Sequence, residues 1–212
     1  MNQFKKLHRE VKNRLGELGI KSPTPIQRKS IPGLLEGKNS LLIAPTGTGK
    51  TEAALLPIFS QHMDREREEG IKIIYIAPLR ALNRDMLNRL QRWQDYLDID
   101  IQVRHGDTTQ YQRRKQALNP PDMLITTPET LQAILPGSRM KEHLKKVKWL
   151  VVDEVHELAE SKRGTQLALA LERLGRLAGN FQRIGLSATV GNKEEISRFL
   201  VGPERKVEIF DT

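Results

Sequence analysis

Cysteine is absent from the 212-residue sequence. No disulfide can brace such a chain and no zinc ribbon can form in it, so the folded state must rest on its own apolar core. Histidine is sparse, five residues scattered along the chain, which argues against a zinc site. Aromatic residues are also few, at 5%, and with the missing thiols this composition fits the reducing cytoplasm. Long apolar runs are lacking as well: none approaches the ~18 residues of a membrane-spanning helix. The opening Met1-Asn2-Gln3-Phe4-Lys5-Lys6 has no apolar stretch of the kind a signal peptide needs. A soluble, cytoplasmic protein with no membrane partner is therefore expected. No repeat or low-complexity linker divides the sequence, so one domain over residues 1–212 is expected.

Positive charge is what the chain has in excess. Thirty-five Lys and Arg stand against 26 Asp and Glu, a net +9. Such a surface suits a polyanion such as nucleic acid, although an excess of lysine also simply keeps a protein soluble. The densest charged stretch, Asp64-Arg65-Glu66-Arg67-Glu68-Glu69, mixes both signs and reads as a solvated helix end.

Elsewhere short β-branched runs alternate with longer amphipathic ones. The pattern predicts strands at 40–44, 72–77, 100–104, 123–126, 149–153, 183–187 and 206–209. Helices are predicted at 4–18, 50–65, 81–96, 109–118, 129–135, 166–178 and 193–200. Most strand candidates are continuously apolar, as in strands covered on both faces of a parallel sheet. This alternation predicts an α/β fold, doubly wound around a mostly parallel sheet. Ligands of such sheets sit beyond the carboxyl ends of the strands, so the residues after each strand are the ones to read for chemistry.

After the first apolar run comes Ala44-Pro45-Thr46-Gly47-Thr48-Gly49-Lys50-Thr51, leading into a helical stretch. A polyphosphate needs backbone N–H groups curled around it, and Gly47 and Gly49 allow both the close approach and positive φ. Lys50 supplies charge for the β- and γ-phosphates, Thr51 a hydroxyl for Mg²⁺, and the helix its N-terminal dipole. The plain alternative is a glycine-rich turn before a helix; the strand-to-helix position of Gly-Lys-Thr favours ATP. A second acidic site is then required at the end of a hydrophobic strand. Trp149-Leu150-Val151-Val152-Asp153-Glu154 provides it, with Asp153 as holder of the magnesium ion and Glu154 as general base toward water. Two acids at a helix N-terminus, favoured by the dipole, are the bland reading of the same residues.

In order and spacing, residues 44–51, the box Asp153-Glu154-Val155-His156 and Ser187-Ala188-Thr189 resemble motifs I, II and III of the superfamily 2 helicases. The chain is thereby identified as similar to the first RecA-like motor domain of such an enzyme, with a P-loop core at 40–212 behind an N-terminal helix and glutamine-motif region at 1–39. The resemblance implies further roles. Gln27, in Thr24-Pro25-Ile26-Gln27, would read the adenine edge, which an amide able to donate and accept can do. Ser187 and Thr189 would bond the acidic box and link nucleotide state to strand grip, and His156 would join that network. Motif Ia, Ala77-Pro78-Leu79-Arg80-Ala81-Leu82, motif Ib, Thr126-Thr127-Pro128-Glu129, and the turn His105-Gly106-Asp107-Thr108 would track a sugar-phosphate backbone. Their expected contacts are Pro78, Arg80, Gly106, Asp107, Thr127, Pro128 and Glu129. Backbone contacts carry no sequence information, which suits translocation. The phrase from Asp153 to Leu158, continued by Ser161-Lys162-Arg163-Gly164, is most similar to the large helicase-related (Lhr) branch.

This resemblance implies an ATP-dependent helicase acting on single-stranded or partly duplex DNA or RNA. It also implies a second motor domain of the same polypeptide that carries arginines for the γ-phosphate and has no counterpart in the 212 residues. The chain alone is expected to bind nucleotide weakly and to unwind nothing. A duplex translocase or restriction-type motor would use the same boxes. A non-catalytic nucleotide-binding module would instead show a decayed loop or a missing base, whereas Lys50, Thr51, Asp153 and Glu154 are all present.

Overall fold

The computed structural model describes residues 2–78, 84–159, 161–188 and 191–212. Behind a 3-10 turn, Gln3–Lys6, the elements begin with α1 (Arg9–Glu17), α2 (Pro25–Leu35), β1 (Ser40–Ile43), α3 (Lys50–Met63) and β2 (Ile73–Ile76). Next come α4 (Arg84–Leu97), β3 (Ile101–Arg104), α5 (Gln110–Leu118), β4 (Met123–Thr126), α6 (Pro128–Ile134) and α7 (Ser138–Leu144). The remainder is β5 (Trp149–Val152), α8 (Val155–Ala159), α9 (Lys162–Ala178), β6 (Gln182–Ser187), α10 (Lys193–Val201) and β7 (Glu208–Asp211). Among the described residues no helix is long and apolar enough to cross a membrane.

Two compact units are distinguished within the chain. The first runs up to Arg67 and resumes at Gln182, and the second is Glu68–Phe181. In the first, β1 lies between β6 and β7 and pairs with both in parallel, Ile43 opposite Ser187 on one side and Asp211 on the other. All four residues of β1 are buried, which is why its sequence is continuously apolar rather than alternating. Helices α2 and α3 pack on one another, and Ile31, Leu34, Leu56, Ile58 and Phe59 close the core. Burying one such side chain contributes roughly 1.5–3 kcal/mol before entropy is counted.

In the second unit the strand order is β3-β4-β2-β5, again with parallel pairs throughout. Strands β2, β4 and β5 are wholly buried, whereas β3, at the edge, is half-exposed and carries Gln102 and Arg104. Met86, Leu90, Trp93 and Leu97 recur at helical spacing along the buried face of α4. Parallel pairing sends the carboxyl ends of all four strands to one edge of this unit. The turn at 105–108, Thr127, Pro78 and the acid pair 153–154 follow those ends.

All seven expected strands are present, the last displaced to Glu208–Asp211. The helices needed more correction. The single opening helix is divided, because His8 caps a new start: its Nδ1 accepts from Glu10 N at 3.3 Å. The helix expected from 166 begins at Lys162, where the Ser161 hydroxyl accepts from Gly164 N at 3.3 Å. Helix α2, which carries Pro25 and Pro32, was not among the predicted helices. Pro25 sits at the first helical position, where a missing N–H costs nothing. Short helices α7 and α8 were likewise unforeseen. The mixed-charge stretch 64–69 is exposed, as expected, but it follows α3, which stops at Met63, rather than forming the end of that helix.

Candidate functional site

In the first unit, the loop after β1 is built for close approach of its backbone to an anion. Gly47 and Gly49 have φ of 81° and 83°, in the left-handed region that side-chain-bearing residues avoid. Gly49 caps α3, and Ala53 N donates to its carbonyl at 2.9 Å. Lys50, almost buried, turns its Nζ back into the loop, donating to Ala44 O at 2.5 Å and Pro45 O at 3.0 Å. The Thr48 hydroxyl donates to Pro45 O at 2.7 Å. Thr46 and Thr51 complete the loop and the first turn of α3. An ammonium beside the backbone amides of a helix start is the chemistry of a phosphate cradle.

Gln27 stands against this loop. Its Oε1 accepts from Thr24 N at 3.0 Å and its Nε2 donates to Gly49 O at 3.2 Å. A Cβ on Gly49 would lie 2.5 Å from Gln27 Nε2, so any side chain there would push the glutamine amide out of this contact. On the other side of β1, Ser187 is fully buried, and its carbonyl accepts from Ala44 N at 3.1 Å. The loop and the motif III serine are therefore one hydrogen-bonded structure. Thr189 lies outside the described residues.

The second unit holds the acidic box. Asp153 N donates to Ile76 O at 2.8 Å, extending the β5–β2 ladder by one residue. Asp153 Oδ1 then accepts from Glu154 N at 2.9 Å, while Oδ2 accepts from the Tyr75 hydroxyl at 2.6 Å. Glu154 has φ of 46°, an uncommon conformation for a residue with a side chain, of the kind that persists where surroundings enforce it. The next turn, α8, sets His156 Nδ1 at 3.6 Å from Glu154 Oε2.

The nucleic-acid candidates of this unit gather at the same carboxyl edge but in different states. Gly106 and Asp107 form an exposed turn, braced by Arg113, whose Nε and Nη2 donate to the carbonyls of Thr108 and Gly106 at 2.8 and 2.7 Å. Pro78, behind β2, and Pro128 are buried. Thr127 is 5% exposed, and its hydroxyl caps α6 by accepting from Thr130 N at 3.4 Å. Glu129 pairs with Arg163, whose hydrogen bond holds the carboxyl below its ordinary value. Arg80 lies outside the described residues. Tyr75 and Arg113 were not anticipated, and Arg163 was singled out only within the phrase 161–164, with no role: each acts through a partner distant in sequence or through backbone carbonyls.

Fold and sites together define a class. Residues 24–196 match the family model of the DEAD/DEAH box helicases, and the chain belongs to that family. Its relatives narrow the branch. The chain is 44% identical over 194 residues to the ATP-dependent helicase Lhr-Core of Methanothermobacter thermautotrophicus, covering 84% of this chain and 22% of that protein. Against the Lhr-Core helicase of Sulfolobus acidocaldarius the identity is 45% over 202 residues, covering 89% and 23%. Among solved structures it is similar to the Mycobacterium smegmatis helicase Lhr bound to ssDNA and AMP-PNP, with a TM-score of 0.91 at 38% identity over 100% of this chain and 28% of that one. The chain thus spans less than a quarter of the length of these curated relatives. The resemblance to the Lhr branch and the α/β fold with parallel strands are both borne out.

Proposed function

We propose that residues 1–212 are one ATP-binding motor domain of an ATP-dependent helicase that tracks single-stranded nucleic acid, with DNA, the ligand of its mycobacterial relative, as the first candidate. The observation that carries this reading is the loop at 44–51, with two left-handed glycines and the Lys50 ammonium folded into it at the head of α3. Lys50 and the loop amides take the β- and γ-phosphates. Gln27 spends one N–H and one acceptor site on the protein, which leaves it one of each for adenine.

Thr51 and Asp153 offer hard oxygen donors that fit Mg²⁺. Among the described residues no group of three or more acidic, histidine or cysteine side chains gathers to cage an ion. Magnesium commonly binds through one or two protein oxygens and the substrate's own phosphates, which is the donor set these residues supply. Bound there, the ion would neutralise charge on the phosphates. Glu154 orients and deprotonates the attacking water, with His156 and Ser187 relaying nucleotide state. The arginines that complete hydrolysis, worth roughly 10³–10⁵ in related systems, come from a second motor domain of the same polypeptide.

Titration with ATP tests the cradle. Lys50→Ala should weaken binding by at least tenfold, whereas Glu154→Gln in the full-length polypeptide should spare binding and abolish nucleic-acid-stimulated turnover. Equal affinity of parent and Lys50→Ala would remove the loop assignment, and unchanged turnover of Glu154→Gln would favour a structural nucleotide.

A further inference from the structure

We propose that Tyr75 is a positioning residue for Asp153, fixing the carboxylate in the orientation that receives Mg²⁺. This rests on the functional reading of Asp153 given above. Tyr75 lies inside β2 among Ile73, Ile74 and Ile76 and is fully buried. Packing at such a place asks only for an apolar ring, because an unpartnered hydroxyl there would be costly. The hydroxyl instead donates to Asp153 Oδ2 at 2.6 Å, within the short range of bonds to a carboxylate anion. Oδ1 is held by Glu154 N at 2.9 Å, and the Asp153 backbone is tied to Ile76 O at 2.8 Å. Two donors on two oxygens, with the backbone anchored to the strand that carries Tyr75, restrict rotation of the carboxyl plane. Donors of this kind behind a ligating carboxylate typically affect metal affinity by 10–100-fold when removed. The same strand β2 leads directly into Pro78 and motif Ia, so the tyrosine joins the acidic box to the segment read as touching the tracked strand.

Mg²⁺ titration of the 212-residue chain with a fixed concentration of fluorescent ADP, against a metal-free baseline in EDTA, measures the effect without relying on turnover. Parent, Tyr75→Phe and Asp153→Asn are compared, together with their melting curves. Tyr75→Phe keeps the buried ring, so its metal-free ADP affinity should equal the parent's while the Mg²⁺ needed for half the effect rises about tenfold. An unchanged Mg²⁺ midpoint in Tyr75→Phe, with the response lost in Asp153→Asn, would overturn the tyrosine's role and leave the functional reading standing. A parent that shows no Mg²⁺ response would remove the reading of Asp153 and the inference with it. Should Tyr75→Phe melt early, the same substitution made in Asp153→Asn decides. A positioning role adds no further loss in that background, whereas lowered metal-free affinity in both backgrounds marks a merely structural tyrosine and overturns the proposal.

Discussion

Gly49 meets two separate demands at one position. Its φ of 83° lies in the left-handed region, and Gln27 Nε2 stands where a Cβ would have to go. The first demand alone costs an alanine about 1–2 kcal/mol, and the second displaces the glutamine that touches the loop. Gly49→Ala should therefore lower both the melting midpoint and the affinity for ATP, with the larger effect on affinity. A variant that loses stability but binds ATP like the parent would show that the Gln27 contact has no bearing on nucleotide. Lys50 illustrates a different point. Its charge is read easily from the sequence, yet its bonds to Ala44 O and Pro45 O show that the loop's own carbonyls hold the ammonium in place.

Between elements, the start of α9 determines how the acidic box connects to motif Ib. Gly164 permits α9 to begin against α8: a Cβ there would meet Leu158 O at 2.1 Å. Arg163, one residue earlier, pairs with Glu129 on α6. That hydrogen bond outweighs the opposing effect of burial and lowers the Glu129 pKa from 4.5. A carboxyl group with a depressed folded pKa contributes stability that is present above its unfolded value and is lost as pH falls through the folded one. The melting midpoint should consequently decline as the pH drops below about 4.5, and Arg163→Gln should flatten part of that decline. Superimposable pH profiles would show that the pair adds nothing. Both side chains are 46% exposed, so the difference is small and should fade with added salt.

For the whole chain, the net +9 predicts a binding mode as well as a partner. A protein that tracks a backbone neutralises phosphates and releases counterions, so its affinity for a single strand falls with salt, with a slope of about 0.7 per phosphate engaged. Affinity of the chain for a mixed-sequence oligonucleotide should drop steeply between low and physiological salt, with little difference among sequences. Flat salt dependence or strong sequence preference would contradict backbone tracking by the edge that carries Gly106 and Asp107.

The order of the boxes and all seven strands were legible from the amino acids because each depends on local chemistry. Strands buried on both faces must be continuously apolar, and a phosphate loop must place glycine and lysine at fixed spacing before a helix. Helix α2 was hidden because proline marks both loops and first helical turns, and only the neighbours it packs against decide between them. Two partnerships were equally invisible: Tyr75 meets Asp153 across 78 positions, and Arg163 meets Glu129 across 34. The sequence by itself determined which residues are the candidates for phosphate, metal and water. Tertiary structure alone decided which side chains hold those residues still, since parallel pairing, and no local pattern, brings β2 beside β5.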